Sequence, residues 1–214
     1  MISTHRRKYV DSFLNSQVDF MHGNIVDIGG KKNNKRGSFH PPIDNVDSWN
    51  YVNTDKSTNP DYCCSADSIP ISDNSIDGFL LCEVLEHLEN PEDVLNEAYR
   101  ILKEGGIGWI TSPFLFQIHA DPSDYQRWTN IKLKKELLKI GYKDINIFPM
   151  GGVIAVIHDL YYCALMRSPN KGRFLNNLGI NIYKYTFNIM SKLDKYMSYT
   201  NTWMTTGWAI TLKK

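Results

Sequence analysis

Short apolar runs, each stopped by a glycine or an acid, constrain this chain more than any other feature. The clearest are Asn24-Ile-Val-Asp-Ile-Gly29-Gly30, Trp49-Asn-Tyr-Val-Asn-Thr54 before Asp55, Ile76-Asp-Gly-Phe-Leu-Leu-Cys82, Ile107-Gly-Trp-Ile-Thr111 and Trp208-Ala-Ile-Thr-Leu212. Runs this short and this rich in β-branched and aromatic residues read as strands. Residues 62–65 add a weak strand and residues 145–148 another, which makes seven.

Helical patterns separate them. Tyr9, Phe13, Leu14, Val18 and Met21 recur at helical spacing ahead of Gly23. The spacing predicts a second helix over 91–104: Asn90 as N-cap, Pro91 at the first position, Glu92 and Asp93 at the positive end of the dipole, and Gly105 as the stop. Leu133, Leu137 and Ile140 mark a third helix ended by Gly141. Residues 153–199 read as two or more helices, broken near 168–170 and at Gly179. Strands alternating with helices imply a mainly parallel sheet covered on both faces. We expect a single domain over 1–214, with an N-terminal helix in 1–22 and a helical insertion over 153–200 before the last strand.

A chain of 214 residues, 42% hydrophobic and 22% charged, buries enough apolar surface to fold without a disulfide or metal staple. The most apolar stretch, 151–166, is short of the roughly 20 residues that span a bilayer and carries His158 and Asp159. The basic N-terminus continues into Asp11, Asn15, Gln17 and Asp19 instead of an apolar signal core, so a cytoplasmic protein is expected. Cys63, Cys64, Cys82 and Cys163 lack both zinc-site pairing and the density of a disulfide framework; no metal site is expected, and Cys63 and Cys64 read as strand packing residues.

Net charge is +1, but its distribution is uneven. Residues 41–99 carry 13 acidic side chains against Lys56 alone, whereas 100–214 carry 16 basic and seven acidic. An acidic middle suits a cationic or hydroxyl-rich ligand, and the basic second half an anionic one; solvated helix faces are the bland alternative. A nucleic-acid partner is disfavoured at a pI of about 7.7.

In an open α/β sheet, ligands bind beyond the carboxyl ends of the strands. That rule selects Asp27 to Gly30, Asp55, Asp67 and Ser68, Cys82 to His87, and the segment after residue 111. Gly29 and Gly30 leave room for a ligand near the backbone, and the Asp55 carboxylate can accept from both hydroxyls of a ribose. Neither G-x-G-x-x-G nor G-x-x-x-x-G-K-[ST] is present, so a dinucleotide or triphosphate cradle is excluded in favour of a nucleoside without a long phosphate chain.

The ordered set Ile25-Val-Asp-Ile-Gly-Gly30, Tyr51-Val-Asn-Thr-Asp55, Ala66-Asp-Ser-Ile-Pro70, Asp77-Gly-Phe-Leu-Leu-Cys-Glu-Val-Leu-Glu-His-Leu88 and Arg100-Ile-Leu-Lys-Glu-Gly-Gly106 resembles the class I S-adenosylmethionine-dependent methyltransferases. Within them it is most similar to the small methyltransferase-domain proteins often associated with bacterial surface-polysaccharide synthesis. The resemblance implies a Rossmann-like fold with S-adenosylmethionine as cofactor. It places Asp27, Gly29 and Gly30 at the methionine and ribose, Asp55 on the ribose hydroxyls, Asp67 and Ser68 at the adenine, and Cys82, Glu83 and His87 along the cofactor. Lys31 stands where the family's loop has its second glycine. Loop acids, helix caps and a packed histidine are the structural alternatives at these positions.

Residues 112–129 resemble a proline, histidine, Asp-Tyr, Arg, Thr pattern found after the fifth strand of the same proteins. His119 is the candidate general base because imidazole titrates near neutrality. Asp121 or Asp124 would orient or replace it, Tyr125 would meet the acceptor or the sulfonium, and Arg127 would hold an anion; a loop-shaping network with Arg127 on Asp124 is the alternative. The expected reaction is O-methylation of a small polar acceptor such as a sugar or sugar-derived intermediate. N-methylation, methylation of a quinone-like lipid precursor, and a non-catalytic nucleoside-binding protein are the alternatives. The aromatic, basic insertion suits a lid, a homodimer contact or a peripheral membrane contact, with ordinary packing as the plain reading.

Overall fold

The structure, a computed structural model, describes residues 3–33, 37–119, 123–167, 173–197 and 204–214, with side chains in the last helix from residue 177. Its strands are β1 (Asn24–Ile28), β2 (Ser48–Val52), β3 (Ile76–Cys82), β4 (Leu102–Pro113), β5 (Lys143–Met150) and β6 (Gly207–Lys213). They form one sheet in the order β2-β1-β3-β4-β6-β5. β2, β1, β3 and β4 run parallel, and β6 is antiparallel to both of its neighbours. The expected seventh strand at 62–65 is corrected to a single isolated bridge between Tyr62 and Val52. Cys63 is exposed beside it, so the adjacent cysteines are not a packed strand pair.

Helices α1 (His5–Gln17), α2 (Pro91–Ile101), α3 (Asn130–Ile140), α4 (Val153–Arg167) and α5 (Arg173–Met197) complete the fold. Strand alternation sends successive side chains to opposite faces. Val26, Ile28, Phe79, Leu81, Ile110, Trp208 and Ile210 therefore pack with Val94, Leu95, Ala98 and Ile101 of α2 and with Leu133 and Leu137 of α3. Ile25, Leu80, Trp109 and Ala209 face the other way and pack with Val10 and Leu14 of α1.

Two helix boundaries differ from expectation. α2 ends at Ile101, not Glu104, because Leu102 already pairs with Ile76 as the start of β4. Asn90 precedes the helix without a side-chain capping bond. Gly179 lies inside α5 instead of breaking it: a Cβ there would come 2.8 Å from Leu165 Cδ1, so the missing side chain lets α4 and α5 approach closely.

Buried carboxylates lock the insertion to α1. Asp159 of α4 accepts from the backbone N–H groups of His5 and Arg6, both at 2.8 Å, and so caps α1 from outside. Asp194 of α5 accepts from Gly152 and Ala155 N–H, each at 2.9 Å, at the start of α4, and from the Tyr9 hydroxyl at 2.7 Å. His5 Nε2 and His158 Nδ1 share a hydrogen bond at 2.8 Å beneath the same contact. No helix among the described residues is long and apolar enough to cross a membrane.

Candidate active site

The parallel strands bring the carboxyl ends of β1, β2, β3 and β4 to one edge, and strand order reverses between β1 and β3. That is where a ligand crevice is expected. Gly29 follows β1 with φ +79°, and a Cβ there would sit 2.5 Å from Val84 Cγ2, so this turn excludes other residues. Its N–H donates to Val52 O at 2.8 Å, while the Asn53 amide donates to the carbonyls of Gly29 and Gly30 at 3.2 and 3.0 Å. Asp27 is folded beneath the turn, since a Cβ at Gly30 would fall 2.3 Å from its carboxyl carbon. The tips of β1 and β2 are thus laced together, and the cradle is glycine and carboxylate.

Asp55 is exposed beyond β2 and caps the short turn Lys56–Thr58, accepting from Ser57 N–H at 2.9 Å. Those Ser57 hydrogen bonds, helped by the charge of Lys31, hold its carboxyl below the usual value. Lys31, the departure from the second motif glycine, therefore lies close enough to bear on the rim acid. Asp67 and Ser68 are exposed and face a shallow groove lined also by Asp93, Asn96, Glu97 and Arg100.

The other side of the crevice is buried and polar. Arg6, 3% exposed, reaches from α1 to grip Glu83 with Nε and Nη2, and Thr111 Oγ1 donates to the same carboxylate at 2.9 Å. Burial alone would raise the Glu83 carboxyl; the Arg6 charge and hydrogen bonds outweigh it and hold the group ionised. Arg6 needs Gly207 at the head of β6, where a Cβ would fall 2.3 Å from its Nη1.

The Glu83 carboxylate is taken up by Arg6 and Thr111, and its backbone is left-handed, φ +56°. Cys82 packs against the α1-side core that holds Leu80, where burial first, then the nearby Asp27 charge, pushes its thiol well up.

The segment after β4 is fastened to the turn Leu85–His87. Tyr125 N–H donates to Glu86 O at 2.8 Å, the Gln126 amide to Leu88 O at 2.8 Å, and Trp128 is buried in the α2-side core. His119 lies beside His87, with ring centroids 5.0 Å apart at 84°. The His119 backbone N–H donates to Asp124 at 2.8 Å, and Arg127 grips Asp124 with both terminal nitrogens. Against the cost of burial, the Arg127 and His119 bonds hold the Asp124 carboxyl down at about 2. Asp124 and Arg127 are thus bonded to each other and to the backbone of the loop, and Tyr125 is exposed. Asp121 lies outside the described residues.

Sequence reasoning missed three residues. Arg6 and Asn53 act across distant segments and carry no local signal. Glu86, 1% exposed, is an acid within the otherwise apolar turn Val84-Leu-Glu-His-Leu88, and that misplaced charge was the available cue. Burial first, then the neighbouring Glu83 charge, pushes its carboxyl up to about 8.

A methyltransferase-domain family model matches residues 43–110. An uncharacterized protein of Methanocaldococcus jannaschii is 34% identical over 98 residues, covering 44% of this chain; the chain spans 42% of that relative's length. Among solved structures, a SAM-dependent methyltransferase from Archaeoglobus fulgidus is similar over 97% of this chain and 94% of its own, with TM-score 0.57 and 17% identity. The [4+2]-cyclase SpnF is similar over 97% and 81%, with TM-score 0.59 and 16% identity. Phosphoethanolamine N-methyltransferase 2 of Haemonchus contortus, solved in complex with S-adenosyl-L-methionine, is similar over 95% of this chain and 52% of its own, with TM-score 0.55 and 17% identity. The chain has the Rossmann-like α/β fold of these solved structures, and its residues 43–110 match the methyltransferase-domain family model.

Proposed function

We propose that this chain, as one domain over 1–214, transfers the methyl group of S-adenosylmethionine to a hydroxyl of a small polar acceptor, such as a sugar or sugar-derived intermediate. The observation that carries the reading is the meeting of two unlike surfaces at the β1–β3 junction, where Gly29 abuts Val84. On one side lie the glycine turn and the acids Asp27 and Asp55; on the other lies the buried Glu86 with the half-buried His87 and His119. Asp27 with Gly29 and Gly30 would hold the methionine end and Asp55 the ribose, with Asp67 and Ser68 toward the adenine.

The bound cofactor supplies a methyl group already activated on a sulfonium, so the protein has to position the acceptor and loosen its proton. We assign that activation to His119 with Glu86 behind it, and the shaping of the acceptor loop to Asp124, Tyr125 and Arg127. The exposed apolar residues Ile157, Leu160, Ile182 and Ile189 on α4 and α5 support a use of the insertion as a contact surface for a second copy or a membrane. Four free cysteines suit the cytoplasm.

Calorimetry with S-adenosylhomocysteine reads the pocket, and release of that byproduct across sugar, amine and quinone-like pools reads turnover and acceptor. His119→Ala is expected to lower turnover by about 100-fold or more while leaving byproduct affinity unchanged. Unchanged turnover would remove His119 from the mechanism. Tight binding with turnover on no pool would favour the non-catalytic reading, and turnover confined to amines the N-methyltransferase one.

A further inference from the structure

Three side chains behind the crevice point hydrogen-bond acceptors at one another. Glu86 Oε1 lies 3.6 Å from His87 Nε2 and 3.7 Å from His119 Nε2. The tautomer of each imidazole follows from its other nitrogen. His87 Nδ1 faces the carbonyl of Ser123 at 2.5 Å, and His119 Nδ1 faces the carbonyl of Gln117 at 3.2 Å and the Asp124 carboxylate at 3.4 Å. A carbonyl only accepts, so both Nδ1 atoms carry a proton, which makes each Nε2 the lone-pair nitrogen of the neutral ring. Among the described residues neither Glu86 oxygen has a hydrogen-bond partner, although the side chain is buried.

Three lone-pair donors turned inward around a buried, unpartnered carboxylate call for a positive centre between them. We propose that Glu86, His87 and His119 form a binding site for one divalent transition-metal ion of the zinc, cobalt or iron(II) type. The donor set is two imidazoles and one carboxylate, which such ions favour over the all-oxygen sets of calcium and magnesium. All three ligand atoms fall within 4.8 Å of one another. Metal–ligand bonds of about 2.0–2.2 Å place neighbouring donors about 3.0–3.6 Å apart; the two Glu86–imidazole distances are already near that spacing, and the two imidazoles, within 4.8 Å of each other, close on an ion with a side-chain shift of at most about 1 Å. The Nδ1–H bonds to Ser123 and Gln117 are the outer contacts that orient metal-bound histidines.

The groups facing the cluster leave room for the charge: Glu83 and Asp124 are anionic, Arg6 and Arg127 cationic, and Glu86 adds a further negative charge when a cation displaces its proton. Three protein ligands leave open positions, so an ion here can take an oxygen of a polar molecule entering the crevice. The site revises the expectation of no metal. It was hidden because residues 86 and 87 lie more than thirty positions from 119, outside any ligand-spacing motif.

With an ion bound, His119 has no free lone pair, so its role as proton acceptor is exchanged for that of ligand; the readout, metal binding by the full chain, is separate from methyl transfer. Protein freed of metal with a chelator is titrated with Co2+, following visible d–d bands and equilibrium dialysis, and then with Zn2+ by calorimetry. One saturable equivalent per chain is expected, with a rise in Tm. Glu86→Gln keeps the shape of the side chain and, like the protonated acid it replaces, is uncharged, so it folds; it and His87→Ala should each weaken binding by about 100-fold or more. Asp55→Ala should bind as the parent does. Absence of saturable binding, or binding that survives Glu86→Gln and is lost on blocking the thiols of Cys63 and Cys64, overturns the site.

Discussion

The two sides of the crevice are built by opposite means. On the β1–β2 side the groups are half-buried or exposed and are held by a neighbour or by the adjoining strand tip, Asp55 by Ser57 and Gly29 by Asn53 and Val52. On the β3–β4 side they are buried and held from far along the chain: Arg6 crosses 77 residues to Glu83, and His119 lies 3.7 Å from Glu86. The first arrangement accommodates a ligand that brings its own shape and hydroxyls. The second fixes charges before any ligand arrives, which is how a site lowers the reorganisation cost of a reaction.

The largest test of that contrast removes the long-range cation. Arg6→Met leaves Glu83 buried and unpaired and should cost about 3–5 kcal/mol of stability, read as a lower urea midpoint. A variant as stable as the parent would show that the pair is not what organises the buried side. Replacing the rim acid should act differently: Asp55→Ala is expected to weaken S-adenosylhomocysteine about 10- to 100-fold while the urea midpoint stays put. Loss of stability with intact affinity would reverse the assignment of the two sides.

The smallest effect concerns pH at the α1–α4 contact that carries Arg6. Burial first, then the nearby His158, lowers His5 from 6.5 to about 4 in the folded chain. A histidine more acidic when folded contributes stability that is complete above about pH 6.5 and fades as pH falls toward 4. The buried Asp159 of the same contact, pushed up by burial to about 6, acts in the opposite sense. Amide protection in α1 and α4, taken relative to intrinsic exchange at each pH, should therefore drop between pH 6.5 and 4 less than His5 alone would give, and His5→Asn should turn that drop into a gain. The same response in β3 would mean the contact does not open by itself.

The rim was legible because its determinants are local. Glycines after an apolar run, an acid after the next, and helices ended by Gly141 are all read within a few residues. The buried side was half legible. His119 and Arg127 stood out as a polar concentration, but their partners depend on tertiary placement, so Glu86 and Arg6 went unnoticed. The errors have the same origin. Leu102 prefers a strand only because Ile76 waits beside it, Gly179 continues a helix because α4 lies against it, and Tyr62 finds a single backbone partner where a strand needs several.

The position of β6 carries one more consequence. It follows β5 by more than fifty residues, yet it sits between β4 and β5 in the sheet, so β5 reaches the remaining strands only through it. As the ribosome releases the chain, the crevice strands β1 to β4 can pair, whereas β5 must wait with an open edge until residues 207–213 emerge. Removing that strand would therefore take out an interior rail of the sheet, not fray its margin.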